Sequence, residues 1–445
     1  MKENMNPPLK AARPLRATIF KALLGSIGLR LAGMAFGFLV GLQLARGMGV
    51  VGYGLYGLAM SYSAILTVVC QLGLPQLNIR EIQIAFVRQD WPFIRCMLRW
   101  SQSLMLRASA LAILVGTGIL ILKEGTLTSP LSLTFLAGFA LIPFAALDQL
   151  QGAALRGLNH LVKGQLGNVL IRPALHAGLL FMVFCLGSSL RPELALGLSA
   201  LSAMLSFSVS RYMINSSIPM SKIGSTTPKL TSEWKAAAFP LALTRGLGIL
   251  QSHIPILLLG MASDSTSIGI YRIAIALALL VTAPNDLFNV ICGPILARFN
   301  VDANFHKAQR LLSWTSVGMT CSTLLLTLPF IIHGRPLITY IFGEEFSSSN
   351  PLVITLCIRE LINGAFGTSA TLLNMSGHQS RVTRAYTIGL IALTVVATVL
   401  VFMYGAMGVA VATVLSATIT NTLLWKDSRE LLNIDSSLLS FFRPK

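Results

Sequence analysis

Charged side chains inside long apolar stretches are the residues of this sequence best suited to do chemistry. A charged group at the centre of a membrane helix costs roughly 2.5–3.5 kcal/mol on insertion scales, so it usually faces a polar cavity or a partner. The basic residues of this kind are Arg30, Arg107, Arg172, Arg245, Arg272 and Arg359. The acidic ones are Asp148, Asp286 and Glu360. Because arginines outnumber acids, the pattern predicts a cavity that binds an anion.

Arg30 and Arg245 are the predicted centre of that cavity. Each lies roughly 12–14 Å from the cytoplasmic end of its span, at 1.5 Å per residue. One constant offset along the chain relates these two arginines and also relates Gly54-Leu55-Tyr56 to Gly269-Ile270-Tyr271. A guanidinium binds phosphate oxygens bidentately, so two placed symmetrically predict a pyrophosphate clamp. A structural pairing with a buried acid or with helix-end carbonyls is the alternative.

Arg272, Arg359, Gln251 and His253 are further candidates for contact with substrate. Arg272 lies near an outer helix end, from which a long side chain can snorkel to the interface. Arg107 and Arg172 lie near cytoplasmic ends, and snorkelling is the expectation for them too. Gln251 and His253, with Ser252 between them, form a polar segment suited either to sugar hydroxyls or to interhelical hydrogen bonds.

Asp286 and Glu360 are the candidates for ion coupling. Asp286 follows Pro284 and Asn285, and could carry a coupling proton, neutralise Arg30 or Arg245, or form part of an interface. Glu360 follows Arg359 directly, and adjacent helical residues point about 100° apart. The two are therefore not expected to form a simple mutual pair.

Other chemistries find little support in the sequence. The six cysteines and six histidines are dispersed, without the spacing of metal ligands or of a disulfide framework. Segment 52–57 matches GxGxxG but lacks the strand and the ribose-binding acid of a nucleotide site. Glu344 and Glu345 are adjacent and make a poor catalytic pair. We therefore expect no enzyme, no cofactor and no bound metal.

The composition places these residues in a membrane. Of 445 residues, 54% are hydrophobic and 11% charged, against roughly 25% charged in soluble domains. Apolar stretches of about 20 residues recur along the chain, and the basic N-terminus continues into a retained first span rather than a cleaved signal peptide. The predicted spans are 22–46, 52–76, 101–123, 129–154, 166–187, 193–214, 236–260, 268–292, 311–333, 351–374, 385–404 and 406–425. In the first, Gly33, Gly37 and Gly41 predict close helix packing, with a hinge as the alternative.

The charges predict the orientation of the chain. Most of the 34 Lys and Arg residues fall in the two tails and in alternate connections. The positive-inside rule then places both termini in the cytoplasm. The net charge of +18 thus reflects topology and attraction to anionic membrane lipids, and nucleic acid is not an expected partner.

The repeat divides the chain into two parallel six-helix halves. We predict an N-terminal bundle at 1–214, a cytoplasmic linker at 215–235, a C-terminal bundle at 236–425 and a cytoplasmic tail at 426–445. Six spans are an even number, so both halves begin on the same side of the membrane. Two such bundles suit alternating access about a central site.

Several motifs resemble one transporter family. Segment 45–82 contains Ala45, Arg46, Gly49, Tyr53, Gly54, Tyr56, Gly73 and Leu74, with Met48 where Leu is usual. Gly269, Tyr271, Pro294, the run Phe342-Gly343-Glu344-Glu345-Phe346, Gly405 and Gly408 also match. Together they resemble the polysaccharide transporter (Wzx-type flippase) family of the multidrug/oligosaccharidyl-lipid/polysaccharide exporter superfamily.

The resemblance implies a MATE-like all-α fold and a bacterial inner-membrane location. The implied function is flipping of an undecaprenyl-pyrophosphate-linked oligosaccharide to the periplasmic leaflet, for O-antigen, capsule or exopolysaccharide. Polysaccharide polymerase machinery is an implied partner, beside the lipid-linked oligosaccharide itself. A multidrug cation antiporter and a flippase for the peptidoglycan lipid precursor are the alternatives. Sugar composition, coupling ion and oligomeric state stay open.

Overall fold

The structure is a computed structural model that describes residues 15–219, 232–301 and 305–442. Within these ranges, side chains are described except at 15–23, 232–245, 294, 297–301 and 305–307. The described residues are almost entirely helical and include no strand, which confirms the all-α prediction. The helices are α1 Leu15–Gln71, α2 Leu74–Val87, α3 Trp91–Glu124, α4 Pro130–Gly157, α5 Lys163–Leu166, a π-helical turn Gly167–Ile171, α6 Arg172–Cys185, α7 Pro192–Ser217, α8 Ser232–Ala262, α9 Ser265–Val301, α10 Phe305–Phe342, a 3₁₀ turn Glu344–Ser349, α11 Asn350–Phe366, α12 Ser369–Met375, α13 Gln379–Leu432 and α14 Leu439–Phe442.

Helices α1 and α13 each contain two spans joined at a glycine. A straight helix of 57 residues, the length of α1, would measure about 86 Å at 1.5 Å per residue, far beyond the roughly 30 Å hydrocarbon core. Gly49 breaks α1 with a φ of 68°, and Gly405 breaks α13 with a φ of 54°; both values favour glycine. The two arms of α13 run antiparallel, since Ser416 Oγ donates to the Gly389 carbonyl at 2.7 Å.

The twelve predicted spans all fall on helical segments of the chain. Eight described helices are long and apolar enough to cross a membrane, and the segment through α11 and α12 is a ninth candidate. Three more spans complete the twelve. They are the second span within α1, the second span within α13 and the shorter apolar helix Gly246–Ala262. The main departure is the span predicted at 351–374. Gly367 breaks it into α11 and α12, which diverge by 46°, because its φ of 66° and ψ of −152° are not helical.

The helices pack mainly with others from the same half of the chain. In the first half α4 packs against α7, α1 and α2, and in the second α11 packs against α10, α13 and α9. Helix α1 also packs against α8 and α9 of the second half. The predicted domain boundaries stay a prediction, since the linker contains residues 220–231, which lie outside the described residues.

Gly54 and Gly269, equivalent in the predicted repeat, meet where α1 crosses α9. A Cβ added at Gly54 would overlap the Ser265 carbonyl, and one added at Gly269 would overlap the Val50 carbonyl. Only glycine allows two backbones to approach so closely. The repeat-related motifs therefore form the closest contact between the two halves that the described glycines make.

Aromatic rings close the same end of the molecule. The rings of Tyr53 and Phe346 meet edge to face with centroids 6.3 Å apart, and those of Phe38 and Phe342 with centroids 5.9 Å apart. Edge-to-face pairs at these separations are favourable beyond their buried area. Each pair joins α1 to the second half of the chain, so the rings seal the interface at this end.

Candidate substrate-binding cavity

A cavity of about 700 Å³ lies between α1 and the helices of the second half. Its volume falls in the range of roughly 300–1,000 Å³ typical of ligand sites. On the α1 side the wall is mostly apolar, and on the other side it carries amides, hydroxyls and charges. The polar and charged lining residues are Tyr53, Tyr56, Ser61, Gln251, Ser252, His253, Tyr271, Arg272, Thr282, Asn285, Asp286, Asn289, Arg359, Glu360, Asn363, Thr368, Tyr386, Thr413, Ser416, Thr420 and Asn421.

The cavity brings together most of the side chains predicted from the sequence. Those that line it are Gln251, His253, Arg272, Asp286, Arg359 and Glu360. Arg30 is not among the lining residues, and the side chain of Arg245 lies outside the described residues. Among the described lining residues, two arginines are therefore matched by two carboxylates, without the expected excess of positive charge. The two-arginine clamp stays a prediction.

Arg272 does not snorkel to the interface, in contrast to the expectation from its position in the span. Its guanidinium carbon lies 4.8 Å from the ring centroid of Tyr53 and 5.0 Å from that of Tyr56. Its side chain also packs over Gly57, where a Cβ would overlap it. The two tyrosines hold the cation at the boundary between the halves because their ring faces attract it more strongly than lipid does.

Arg359 and Glu360 form an ion pair, although their adjacent positions argued against one. Arg359 Nη1 lies 3.5 Å from Glu360 Oε1. The long arginine side chain can curl back far enough to offset the 100° between neighbouring residues. The Glu360 side chain is only 4% exposed, whereas that of Arg359 is 43% exposed. Arg359 therefore keeps part of its guanidinium free towards the cavity.

Arg30 lies beside the cavity rather than in its wall. Its Nε is buried and has no hydrogen-bond partner, and its charge acts on Asp286. Glu360 also acts on Asp286, with the opposite sign. No ion pair within 4 Å joins Arg30 to Asp286 among the described residues, so neutralisation of Arg30 by Asp286 stays a prediction.

The polar segment of α8 contacts both halves of the chain. His253 Nδ1 lies 3.1 Å from Ser61 Oγ of α1. Gln251 Nε2 donates to the Tyr386 carbonyl at 3.2 Å. Both side chains thus make interhelical hydrogen bonds, as one of the two sequence alternatives proposed, while they still line the cavity.

Asparagines are the functional candidates that sequence reasoning missed. Asn285 and Asn289 lie one turn apart on α9, Asn363 lies on α11 and Asn421 on α13, and all four line the cavity. Their signal was the same as that of the arginines: a polar side chain inside an apolar stretch needs a partner or a cavity. The arginines were selected because they carry a formal charge, and the neutral asparagines were not.

Three glycines of α1, Gly33, Gly37 and Gly41, lie at four-residue spacing, and part of this row borders open space. Gly33 packs against the backbone of Val169 in the π-helical turn. Gly37, by contrast, meets no atom within 4 Å of an added Cβ, and both Gly37 and Gly41 line the cavity. The packing interpretation therefore applies to Gly33, and the other two glycines widen the cavity.

A second polar cluster lies inside the first half of the chain. Asp148 accepts hydrogen bonds from Ser206 and Ser210, each at 2.9 Å, and it is 1% exposed. Arg172 acts electrostatically on Asp148 and Tyr56 instead of snorkelling to the cytoplasmic interface as expected. The two opposite charges act on each other across the bundle, without an ion pair between them within 4 Å among the described residues.

The described residues contain no group of three or more His, Cys, Asp or Glu side chains that could hold a metal ion. All six cysteines are free. The lining of the cavity presents hydrogen-bonding and charged groups to a ligand.

No family model matches the chain, and no curated protein matches it in sequence. Solved structures do match. The inward-facing conformation of a multidrug resistance MATE family transporter of the MOP superfamily is 12% identical with a TM-score of 0.72, covering 91% of this chain and 97% of that one. The outward-facing conformation of such a transporter is 14% identical with a TM-score of 0.63, covering 92% and 95%. The inward closed conformation of the lipid II flippase MurJ is 16% identical with a TM-score of 0.67, covering 92% and 87%.

These likenesses extend over nearly the whole chain and identify its fold. The chain has the all-helical fold of these solved transporter structures. The predicted fold class is therefore confirmed.

Proposed function

We propose that this chain flips a lipid-linked oligosaccharide across a bacterial inner membrane. The substrate is an undecaprenyl-pyrophosphate carrying an oligosaccharide unit for O-antigen, capsule or exopolysaccharide. The pyrophosphate and sugars occupy the cavity while the polyprenyl tail stays in lipid. Transport moves the headgroup from the cytoplasmic to the periplasmic leaflet by alternating access, and no covalent bond is made or broken.

The observation that carries this proposal is the difference in ion pairing between the two cavity arginines. Arg359 has Glu360 within 3.5 Å, whereas Arg272 has no carboxylate within ion-pair distance among the described residues. The rings of Tyr53 and Tyr56 attract the Arg272 guanidinium but carry no opposite charge, and a charged group in a membrane is costly unless a partner shares its charge. A phosphate oxygen is the ligand that a guanidinium fork binds best.

The packing of the two halves supports alternating access. Glycine contacts and aromatic pairs close the end of the molecule near Gly54. The TM-score is higher against the inward-facing MATE transporter, 0.72, than against the outward-facing one, 0.63. We infer that the closed end is periplasmic, that both termini are cytoplasmic and that the cavity loads from the inside. The polymerase that joins exported units is the proposed downstream partner.

A second candidate function is drug-cation antiport. Asp286 in the cavity wall favours it, because a carboxylate attracts organic cations and can carry a coupling proton. A flippase for the peptidoglycan lipid precursor shares the polyprenyl-pyrophosphate chemistry of the leading proposal. Each alternative predicts a different phenotype when the gene is lost.

Complementation of a deletion strain separates these functions. We expect the strain to lose surface polysaccharide, the wild-type gene to restore it, and drug sensitivity to stay unchanged. Arg272→Ala should abolish restoration, and Arg272→Lys should restore it in part, because an ammonium keeps the charge but loses the fork. The matched control is Arg107→Ala, at an exposed arginine of α3. Membrane abundance is measured by immunoblot for every variant.

Normal polysaccharide in the deletion strain would exclude the proposed substrate class. Increased drug sensitivity would support antiport instead. Arrest of growth, relieved by a peptidoglycan-precursor flippase, would support the remaining alternative.

A further inference from the structure

A continuous chain of polar side chains runs along the cavity wall from α11 to α13. Arg359 pairs with Oε1 of Glu360 at 3.5 Å. Asn363 Nδ2 donates to Glu360 Oε2 at 3.1 Å. Asn421 Nδ2 donates to Asn363 Oδ1 at 2.7 Å and to the Ala417 carbonyl at 2.9 Å. All four side chains line the cavity, and we name them the amide strip.

The hydrogen bonds give the amide strip a direction. The carboxylate of Glu360 accepts at one end, so Asn363 must turn its NH₂ group towards it and its oxygen towards Asn421. Asn421 then donates with its own NH₂ group. Its Oδ1 has no partner among the described residues. The strip therefore presents guanidinium N–H donors at the Arg359 end and an amide acceptor at the Asn421 end.

The opposite wall of the cavity has little to offer a polar ligand. Of the α1 residues in the lining, Gly37, Val40, Gly41, Leu44 and Met60 are apolar. The hydroxyl of Ser61 donates to the Gly57 carbonyl and lies beside His253, and the rings of Tyr53 and Tyr56 pack on Arg272. The hydrogen-bonding wall is therefore mainly a property of the second half of the chain. A ligand with many hydroxyl groups would bind against the amide strip because a buried hydroxyl without a partner is penalised.

Glu360 is poorly placed to bind a transported cation. Arg359 occupies one carboxylate oxygen and Asn363 the other, and the side chain is 4% exposed. Its role in this geometry is to fix the orientation of the two amides. A carboxylate with a partner on each oxygen is held in one orientation, and it orients the donor that binds it.

We propose that the amide strip is the sugar-recognition site of the cavity. Arg359 donates to a sugar oxygen, Asn421 Oδ1 accepts from a sugar hydroxyl, and Glu360 and Asn363 act as positioning residues. This inference rests on the proposed lipid-linked oligosaccharide substrate and adds the group that selects it. A site built to hydrogen-bond a hydroxyl discriminates against ligands that lack it, so the strip determines specificity while Arg272 binds the pyrophosphate common to all such lipids.

The test compares two lipids on the purified full-length protein. One is undecaprenyl pyrophosphate without sugar, and the other is the lipid-linked oligosaccharide extracted from the deletion strain, in which it accumulates. Asn421→Leu should weaken binding of the oligosaccharide lipid by about tenfold, the upper range for one lost hydrogen bond, and leave binding of undecaprenyl pyrophosphate unchanged. Arg272→Ala should weaken binding of both lipids.

Two further variants keep the result independent of folding. Asn421→Ser retains an acceptor and should recover part of the binding, whereas Thr422→Val changes an exposed neighbour on the outer face of α13 and should change nothing. Equal weakening of both lipids by Asn421→Leu, or no weakening of either, would overturn the sugar-recognition site. Failure of the wild-type protein to bind either lipid would overturn the proposed function itself.

Discussion

The carboxylate of Glu345 accepts a hydrogen bond from the backbone N–H of Val50 at 3.0 Å. Val50 is the first residue after the Gly49 break, so this carboxylate caps the helix that begins there. Arg46, just before the break, donates from Nε and Nη2 to the carbonyls of Ile341 and Tyr340 at 2.7 and 2.6 Å. Those carbonyls lie in the last turn of α10. Each half of the chain therefore caps a helix end of the other.

In the proposed alternating-access cycle, this reciprocal capping exists only while the end near Gly49 is closed. Opening of that end would separate Arg46 from α10 and Glu345 from α1, and helix-end groups would then be satisfied by water. We expect Arg46→Ala and Glu345→Ala to shift the population towards the outward-facing state. Spin labels at Ser188→Cys and Ser348→Cys, in a cysteine-free background, report the distance between the two outer ends.

The control for this measurement is Glu344→Ala, since Glu344 is an exposed carboxylate beside Glu345. It should leave the distance distribution unchanged. Glu345→Gln should behave like the wild type because its amide oxygen can still accept from Val50. A distribution that Arg46→Ala does not alter would mean that the capping contributes nothing to the closed state.

Gly269 provides a second test of closure. A Cβ there would overlap the Val50 carbonyl, so Gly269→Ala should prevent the halves from meeting and abolish export. Gly248→Ala is the matched control, since nothing lies within 4 Å of an added Cβ at that position. Polysaccharide export and membrane abundance are measured together. Normal export by Gly269→Ala would indicate that the closed packing is not needed for the transport cycle.

Much of the fold could be predicted from the sequence because lipid imposes a simple pattern. Apolar length and the breaks at polar or Gly/Pro clusters placed the spans, and the repeat-equivalent Gly54 and Gly269 do meet at the interface. The motifs around Arg46 and Glu345, noted separately through a family resemblance, turn out to contact each other's helices. Sequence alone carries no distance between them, so their partnership could not be predicted.

The candidate site was predicted less completely than the fold. Charge drew attention to Arg272 and Glu360, which line the cavity. The position of Arg272 near the end of a span predicted that its side chain reaches the membrane interface. That prediction was wrong, because it took no account of the tyrosine rings of α1 that attract the guanidinium. The 100° between adjacent helical residues predicted that Arg359 and Glu360 do not pair, and this was wrong. The angle describes the directions of the Cβ atoms and not the position of the end of a flexible side chain. Asn421 lacked a charge and was overlooked.

Asp148 is expected to contribute to stability rather than to transport. Asp148→Ala would leave Ser206 and Ser210 without their acceptor and Arg172 without its opposite charge. A buried polar group without a partner costs about 1–3 kcal/mol. The thermal unfolding midpoint of the purified protein should therefore fall. Ser208→Ala, which removes an exposed hydroxyl bonded within its own helix, should not lower the midpoint, and an unchanged midpoint for Asp148→Ala would contradict this role.

Asp435 fixes the segment after α13 against the second half of the chain. Trp425 Nε1 donates to its carboxylate at 2.8 Å, and Gln309 Oε1 accepts from its backbone N–H at 2.7 Å. Three residues on, the Leu438 N–H donates to the Ala365 carbonyl beside the Gly367 break, at 2.7 Å. These contacts connect the tail to α11, which lines the cavity.

The attachment of the tail should depend on pH in one direction. Burial tends to raise the pKa of Asp435, but hydrogen bonds from Ser437 and Trp425 and the charge of Arg429 together lower the pKa below its ordinary value. Because the pKa is lowered, ionised Asp435 stabilises the attached tail at every pH above the pKa of a free aspartate, about 3.9. That stabilisation is lost as the pH falls through the lower pKa that Asp435 has in the attached tail. The measurement is the fluorescence anisotropy of a label at Leu439→Cys, in a cysteine-free background. The anisotropy should stay constant between pH 8 and about pH 5, and it should decrease at pH values below about 4.

Asp435→Asn should remove this transition. Glu430→Gln, at an exposed carboxylate paired with Lys426, should leave it in place. A transition near pH 6, or one that persists in Asp435→Asn, would assign the attachment of the tail to another group.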